Sequence, residues 1–439
     1  VQLIVEFING GRDMRKLKVH SGKRYLMYED GEPFFYLGDT AWNLFHKLSR
    51  GEIEYYLSVR AKQGFNVVQA VALAEHDGLA TPNHYGRYPL KKINGVYDPT
   101  MPDEDPGFNY WQNIDFAVDI AAKYSIFIAL LPTWGDKYNK AQGIGPEIFN
   151  AENAYLYGKW IANRYKDCWN IIWVLGGDRC LETEQHFAVI DAMAKGIKEV
   201  DGNHLMTFHP PGACSSIDYL KDKDYIDFHA IQSGHAIECY DSWKMLRSTK
   251  ESENKPFMDL EPRYEDHPAC FNIDYEYMWN AADVRNNAYW NLMEGACGHT
   301  YGNHSTWAFS MKESAYWKYR WQDVLMHEGA NQLKYMMQLR MSRPYFEFRS
   351  APELLIDDSA VNAHQCAGRG DKYAFFYSPL GMPIRAKLDS FSGYAAKTAW
   401  FDPRTGNEMV EGIVPLKEVL FVPPSQGKGC DWVLIVDIL

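Results

Sequence analysis

The sequence predicts an α/β chain in which a (β/α)8 TIM barrel is followed by an antiparallel β-sandwich domain. Three observations carry that expectation. Eight short apolar runs recur before Arg343, the stretches between them have helical periodicity, and short punctuated strands follow Arg343-Pro344.

The runs are Phe34–Leu37, Asn66–Val71, Ile126–Leu131, Ile171–Leu175, Leu205–Phe208, Phe228–Ile231, Pro256–Leu260 and Ala296–Tyr301. They are near-continuous rather than alternating, as strands buried on both faces require. Phe187, Ile190, Ala194 and Ile197 form one helical stripe, and Ile114, Val118 and Ala121 another. Eight strands with intervening helices match the size of a barrel. An open doubly wound sheet usually carries a Gly-rich phosphate turn after its first strand, where this chain has Thr40-Ala41-Trp42.

Ahead of the barrel, Lys16–Val19 and Tyr25–Tyr28 around Glu29-Asp30-Gly31 predict a small hairpin. Beyond it, Lys372–Tyr377, Ala395–Phe401, Glu418–Val422 and Asp431–Val436 predict sandwich strands, broken by Asp402-Pro403-Arg404-Thr405-Gly406 and Pro423-Pro424-Ser425. The expected division is residues 1–33 for the N-terminal strands, 34–343 for the barrel and 344–439 for the sandwich.

Composition narrows the classes. The 439 residues are 46% hydrophobic and 23% charged, a globular balance. A net charge of -12 opposes binding to a phosphate backbone, so no nucleic-acid partner is expected. No run of ~20 apolar residues suggests a membrane span. The eight cysteines include no CxxC pair, which argues against zinc-ribbon and redox motifs. Val1 to Gly10 shows no basic, apolar and cleavage regions in series, so no signal peptide is read in this chain. Aromatic residues reach 15%, an excess that suits both sugar stacking and core filling.

In a parallel barrel the loops after the strands share one face, and catalytic residues gather there. The polar and aromatic residues following the runs are Asp39 and Trp42; Glu75 and His76; Trp134; Asp178 and Arg179; His209; Gln232 and His235; Glu261 and Arg263; and, at the eighth strand, Tyr301, Asn303 and Trp307. Asp178 ends the fourth run and Glu261 the seventh, on strands that face each other across the mouth. Paired carboxylates in such positions suit glycoside cleavage, one as proton donor and one as nucleophile, with retention at a separation of ~5–5.5 Å. The two need pKa values pushed apart. Arg263 is expected to keep Glu261 ionised. A strand-end Asp also caps helices, and that remains the plain alternative for Asp178. Trp42, Trp134 and Trp307 are candidate stacking platforms, whereas Trp160 and Trp290 fall within helical runs and suit the core. The long segment from Ala72 to Tyr110 is expected to shape the pocket. His76, His209 and His235 raise a metal-dependent alternative, yet no HxH opens the barrel and no HExxH occurs, so neither metal nor cofactor is expected.

The motifs Leu37-Gly38-Asp39-Thr40-Ala41-Trp42, Gly64-Phe65-Asn66-Val67-Val68-Gln69, Gly176-Gly177-Asp178-Arg179 and Gln232-Ser233-Gly234-His235 resemble those of the apiosidase-like glycoside hydrolases, glycoside hydrolase family 140 and its relatives. The tail, Ala399-Trp400-Phe401-Asp402-Pro403-Arg404-Thr405-Gly406 with Asp431-Trp432-Val433-Leu434, resembles the β-sandwich labelled a collagen-binding domain that accompanies that barrel. The resemblance implies a retaining hydrolase of plant cell-wall glycans, with apiose-bearing side chains of the pectin rhamnogalacturonan II as the characterised substrate. It implies Asp178 as acid/base, Glu261 as nucleophile, a carbohydrate partner and a secreted or periplasmic location.

One departure stands out. Related retaining barrels carry Asn-Glu at the fourth strand, where this chain has Gly177-Asp178. An acidic pectin substrate would also require a local basic rim, for which Lys137, Arg179 and Arg263 are the candidates. A carbohydrate-binding protein with an inactive barrel is the non-enzymatic alternative. The sandwich has no cluster of Trp at strand spacing, so it is expected to buttress the barrel. Oligomeric state leaves no mark on the sequence.

Overall fold

The computed structural model describes residues 15–141, 143–236, 242–252, 254–275, 277–357 and 361–439. Residues 1–14 of the predicted N-terminal segment lie outside the described residues, as does Cys239.

One curled sheet holds eight parallel strands, β1 Tyr36–Thr40, β2 Val67–Leu73, β3 Phe127–Thr133, β4 Ile171–Gly176, β5 Met206–His209, β6 His229–Gln232, β7 Phe257–Asp259 and β8 Gly298–Tyr301, and a short antiparallel ninth, Cys214–Ser215, on the β6 edge. Their order runs β5-β4-β3-β2-β1-β8-β7-β6, with β8 paired to β1. Ladder pairing therefore covers seven of the eight junctions. The seam between β5 and β6 is bridged by Asp227 N–H to Met206 O at 2.8 Å and Thr207 Oγ1 to Phe228 O at 2.6 Å. All eight predicted runs are strands, and every residue of β2, β3 and β4 is buried.

The helices between strands begin where the sequence supplies caps. Ser49 with Glu52, Asn109 with Gln112, Asn150 with Asn153 and Asn280 with Asp283 form reciprocal capping boxes. Both predicted stripes are helical: Ile114, Val118 and Ala121 are buried on Tyr110–Lys123, and Ile190, Ala194 and Ile197 on Glu184–Val200.

Asp39 is expected at the mouth but lies at 0% exposure beneath it. Its Oδ2 accepts from Tyr56 and Arg60, which is also fully buried. This carboxylate anchors the helix Arg50–Lys62 to β1, and removing either partner of the Asp39–Arg60 pair would leave the other buried without its counter-charge.

The N-terminal strands make a three-stranded sheet rather than a hairpin. Leu17–Val19 pairs with Leu26–Tyr28, which pairs in turn with Pro33–Phe34 across the Glu29–Gly31 turn. The C-terminal region holds a six-stranded antiparallel sheet and a two-stranded one. The larger sheet has two apolar faces. Phe376, Trp400, Leu434 and Val436 fill the sandwich interior, while Phe375, Tyr377, Phe401 and Ile435 pack against the barrel helix Ala281–Met293 and its surroundings.

Polar contacts fix that docking. Arg285 pairs with Asp431 at 2.6 Å with both buried, Tyr377 donates to Asn286 at 2.7 Å, and Trp290 donates to His364 O at 2.9 Å. The whole helix is buried, polar residues included. Removing the sandwich would expose this face.

Two outcomes follow. Truncation after Arg343 yields insoluble barrel. Asp431→Asn leaves Arg285 buried without its counter-charge and lowers unfolding free energy by about 3–5 kcal/mol, read from the urea midpoint. A soluble truncated barrel, or an unmoved midpoint, would contradict this docking.

Candidate active site

The loops following the strands enclose a cavity of about 670 Å³. Its lining includes Trp42, Glu75, His76, Trp134, Asp178, Arg179, Gln232, His235, Glu261 and Trp307. These are residues the strand-end pattern nominates, drawn from seven different strands.

The β4 end is a backbone device. Gly176, Gly177 and Asp178 all have positive φ, at 91°, 113° and 54°. A side chain at residue 177 would meet Gly135 N at 2.7 Å and Trp134 Cα at 3.1 Å. The Asn found there in related barrels has no room here, which explains Gly177. Asp tolerates the left-handed region better than most residues, yet still at some strain. That turn throws Asp178 into the cavity. The helix that follows is capped by Thr183, so Asp178 is not its cap.

Glu261 sits at the β7 end with 6% exposure. His235 Nε2 bonds its Oε1 at 2.9 Å, and His209 Nε2 lies 3.0 Å from its Oε2. Burial alone would raise its pKa, but His209 and His235 outweigh that and hold the carboxyl well below the usual range. Beneath it, Asp259 accepts from the Glu261 and Ser233 backbone N–H groups at 3.2 and 3.3 Å and from Ser233 Oγ at 2.6 Å. One buried side chain thus ties Glu261 to the loop that carries His235.

Asp178 moves the other way. Burial and the nearby Glu261 charge raise its pKa, against opposition from Arg179, His209 and Gln232. Arg179 Nη1 contacts its Oδ2 at 2.8 Å. The accessible third of the side chain opens into the cavity. The two carboxyls are therefore split in proton affinity, as an acid and a nucleophile must be.

Trp42 and Trp134 form a floor with His209, their ring centroids 5.1 to 5.8 Å apart. Both indoles are nearly buried, whereas Phe271 is 56% and Tyr316 36% exposed at the rim. Tyr264, His267, Phe271 and Tyr316 also line the cavity. They follow β7 and β8 by several residues, beyond the reach of a rule that inspects only strand ends.

Other expectations fail. Besides Asp39, Tyr301 is buried and donates to Glu265 at 2.6 Å, and Asn303 donates to Asp266 at 2.7 Å. Arg263 is buried, with its guanidinium 4.8 Å from the Trp279 ring centroid, so histidines and not this arginine hold Glu261 ionised. His209 is fully buried and off the cavity lining, with its Nε2 beside Glu261 Oε2. The long segment after β2 contributes Glu75 and His76 at its root. The rest, including the hairpin Leu90–Ile93 with Val96–Pro102, stays off the cavity lining. Of the proposed basic rim only Arg179 lines the cavity. Lys137 is buried against Asp136 at 2.8 Å. Among the described residues no group of three or more His, Cys, Asp or Glu is arranged to hold a metal ion.

Removing a histidine from Glu261 leaves burial less opposed. In His235→Ala the Glu261 carboxyl should titrate at higher pH than in the parent, as read by 13C NMR of glutamate-labelled protein. An unchanged titration would mean that the histidines do not control this charge.

A family model described as "Apiosidase-like, catalytic domain" matches residues 20–347, and one described as "Putative collagen-binding domain of a collagenase" matches residues 351–437. A crystal structure of a glycoside hydrolase family 5 protein from Bacteroides vulgatus is 31% identical, covering 96% of this chain and 94% of its own, with a TM-score of 0.88. A second structure, described as a glycoside hydrolase, is 30% identical over 97% of both chains with a TM-score of 0.86. A search of curated proteins returned no match. With its barrel covered by that family model and its full length shared with such structures, the chain belongs to the apiosidase-like family and is a glycoside hydrolase.

Proposed function

We propose that the protein cleaves its glycosidic bond with retention of configuration, Glu261 acting as nucleophile and Asp178 as acid/base, on a side chain of a plant cell-wall glycan. The observation that carries this reading is that Asp178 and Glu261 line one cavity with unequal partners, His235 and His209 beside Glu261 and Arg179 beside Asp178. In the first step a Glu261 oxygen attacks the anomeric carbon, the glycosidic C–O bond breaks, and the leaving oxygen takes the Asp178 proton. In the second step Asp178 takes a proton from water, the water oxygen attacks the same carbon, and the ester bond to Glu261 breaks. Two inversions leave the configuration unchanged.

The charge around the cavity bears on the substrate. Arg179 already pairs with Asp178, while Lys137 and Arg263 are turned into the protein. A uronate ring between these carboxylates would find no free cation among those three candidates, so the reading favours an uncharged sugar at the point of cleavage. Apiose on rhamnogalacturonan II side chains fits that requirement and is the first substrate to test. The rim rings of Phe271 and Tyr316 offer apolar faces to the leaving portion. An enzyme of this kind works outside the cytoplasm, where its polymer is found.

Asp178→Ala should cut turnover by about 10²–10⁴-fold with folding retained. Glu261→Ala should abolish it. Proton NMR of the first product should show the parent configuration. The raised Asp178 pKa keeps the donor protonated to higher pH, so the alkaline fall in kcat/KM lies above the usual carboxylate range. The depressed Glu261 pKa keeps the acid limb below the usual carboxylate range. Inverted product, or full activity in either variant, would contradict the assignment.

A further inference from the structure

Two-step hydrolysis uses two carboxyl groups, yet the same cavity is lined by two more, the exposed Glu182 and the buried Glu75. It stands at the root of the long segment following β2, 9% exposed. Among the described residues its buried Oε1 has no hydrogen-bond partner. Its Oε2 lies 3.3 Å from Nε2 of His76, a ring about half exposed. His76 itself is held at a φ of 55°, so the backbone is strained where this pair is presented.

The surrounding charges are already matched. Arg179 pairs with Asp178 and Lys137 with Asp136, each at 2.8 Å. Glu261 has its two histidines. From the remaining neighbours, Lys47 is an exposed cation after β1 and Tyr316 a neutral phenol after β8. An ionised Glu75 would thus be a further negative charge beside Asp178 and Glu261.

We propose that Glu75 binds the substrate as a neutral carboxylic acid, donating its proton in a hydrogen bond to a ring hydroxyl of the sugar held between Asp178 and Glu261. The proposal rests on the hydrolytic reading given above and assigns Glu75 neither attack nor protonation of the scissile bond. A protonated carboxyl can donate through one oxygen and accept through the other, which suits a sugar hydroxyl that must do both. An ionised one only accepts, and it would push the Asp178 pKa higher still. Burial first, then the Asp178, Glu261 and Asp136 charges, push Glu75 up to about 8 against the pull of Arg179. Burial and the Glu261 charge act whether or not Asp178 holds its proton, so Glu75 keeps its own proton above the usual carboxylate range.

The test compares the parent with Glu75→Gln and Glu75→Ala between about pH 5 and 9, spanning the ionisation of a raised carboxyl. Infrared difference spectra of substrate-free protein should contain a protonated-carboxyl stretch at neutral pH that Glu75→Gln removes and that fades in the parent above pH 8. With apiose-terminated rhamnogalacturonan II side chains, the parent KM should rise on the alkaline side. Glu75→Gln, a permanent donor, should keep kcat and lose that rise. Glu75→Ala should raise KM by about 3- to 10-fold, the value of one hydrogen bond. D-apiose affinity measured by calorimetry should show the same pattern without turnover. Absence of the carboxyl stretch, or a KM and affinity independent of both pH and substitution, overturns the proposal while hydrolysis by Asp178 and Glu261 stands. Loss of kcat in Glu75→Gln matching that of Asp178→Ala would make Glu75 the proton donor and overturn both assignments. Failure of the parent to cleave or bind any glycan would instead remove the hydrolytic reading, whatever the infrared result.

Discussion

One constraint organises this site: among the described residues Glu75, Asp178, Glu182 and Glu261 line one cavity, and Arg179 is the lysine or arginine that lines it with them. The fold resolves the conflict by unequal pairing. Glu261 receives two imidazoles and stays charged despite its burial. Asp178 has one arginine but also feels the Glu261 charge, and its proton affinity rises. Coulomb energy makes these assignments mutually dependent. Changing the charge on any one member moves the others.

The scaffold exists to hold that inequality. Three consecutive left-handed residues turn the β4 end so that Asp178 enters the cavity, and the close approach of Gly135 and Gly177 leaves no space for side chains between them. On the opposite side Asp259 locks the β6 and β7 ends together, fixing Glu261 relative to His235. Farther out, the sandwich covers a barrel helix whose polar residues are as buried as its apolar ones. The Arg285–Asp431 pair and the stacked Tyr289 and Tyr377 rings make that covering specific.

Much of this was legible because the barrel converts sequence position into spatial position. Apolar runs located all eight strands, and the residues after them located the cavity. What strand-end position does not encode is the direction of a side chain. Asp39, Tyr301 and Asn303 stand at strand ends but turn inward to structural partners. Arg263 follows Glu261 by two residues, yet it packs near Trp279 and leaves control of that charge to histidines contributed by β5 and the loop after β6. Sequence spacing suggested the nearer cation, whereas the through-space partners came from other strands. The N-terminal sheet gained a strand because Pro33–Phe34 is too short to carry periodicity. Phe271 and Tyr316 were missed because their loops return to the cavity only after an excursion.

Neutron diffraction from the substrate-free protein, exchanged into deuterated buffer at mildly acidic pH, would observe the proton allocation directly. The account predicts deuterium on Asp178 and Glu75, none on Glu261, and a deuterated Nε2 on His235 directed at Glu261 Oε1. Deuterium on Glu261, with Asp178 bare, would reverse donor and nucleophile and contradict the account.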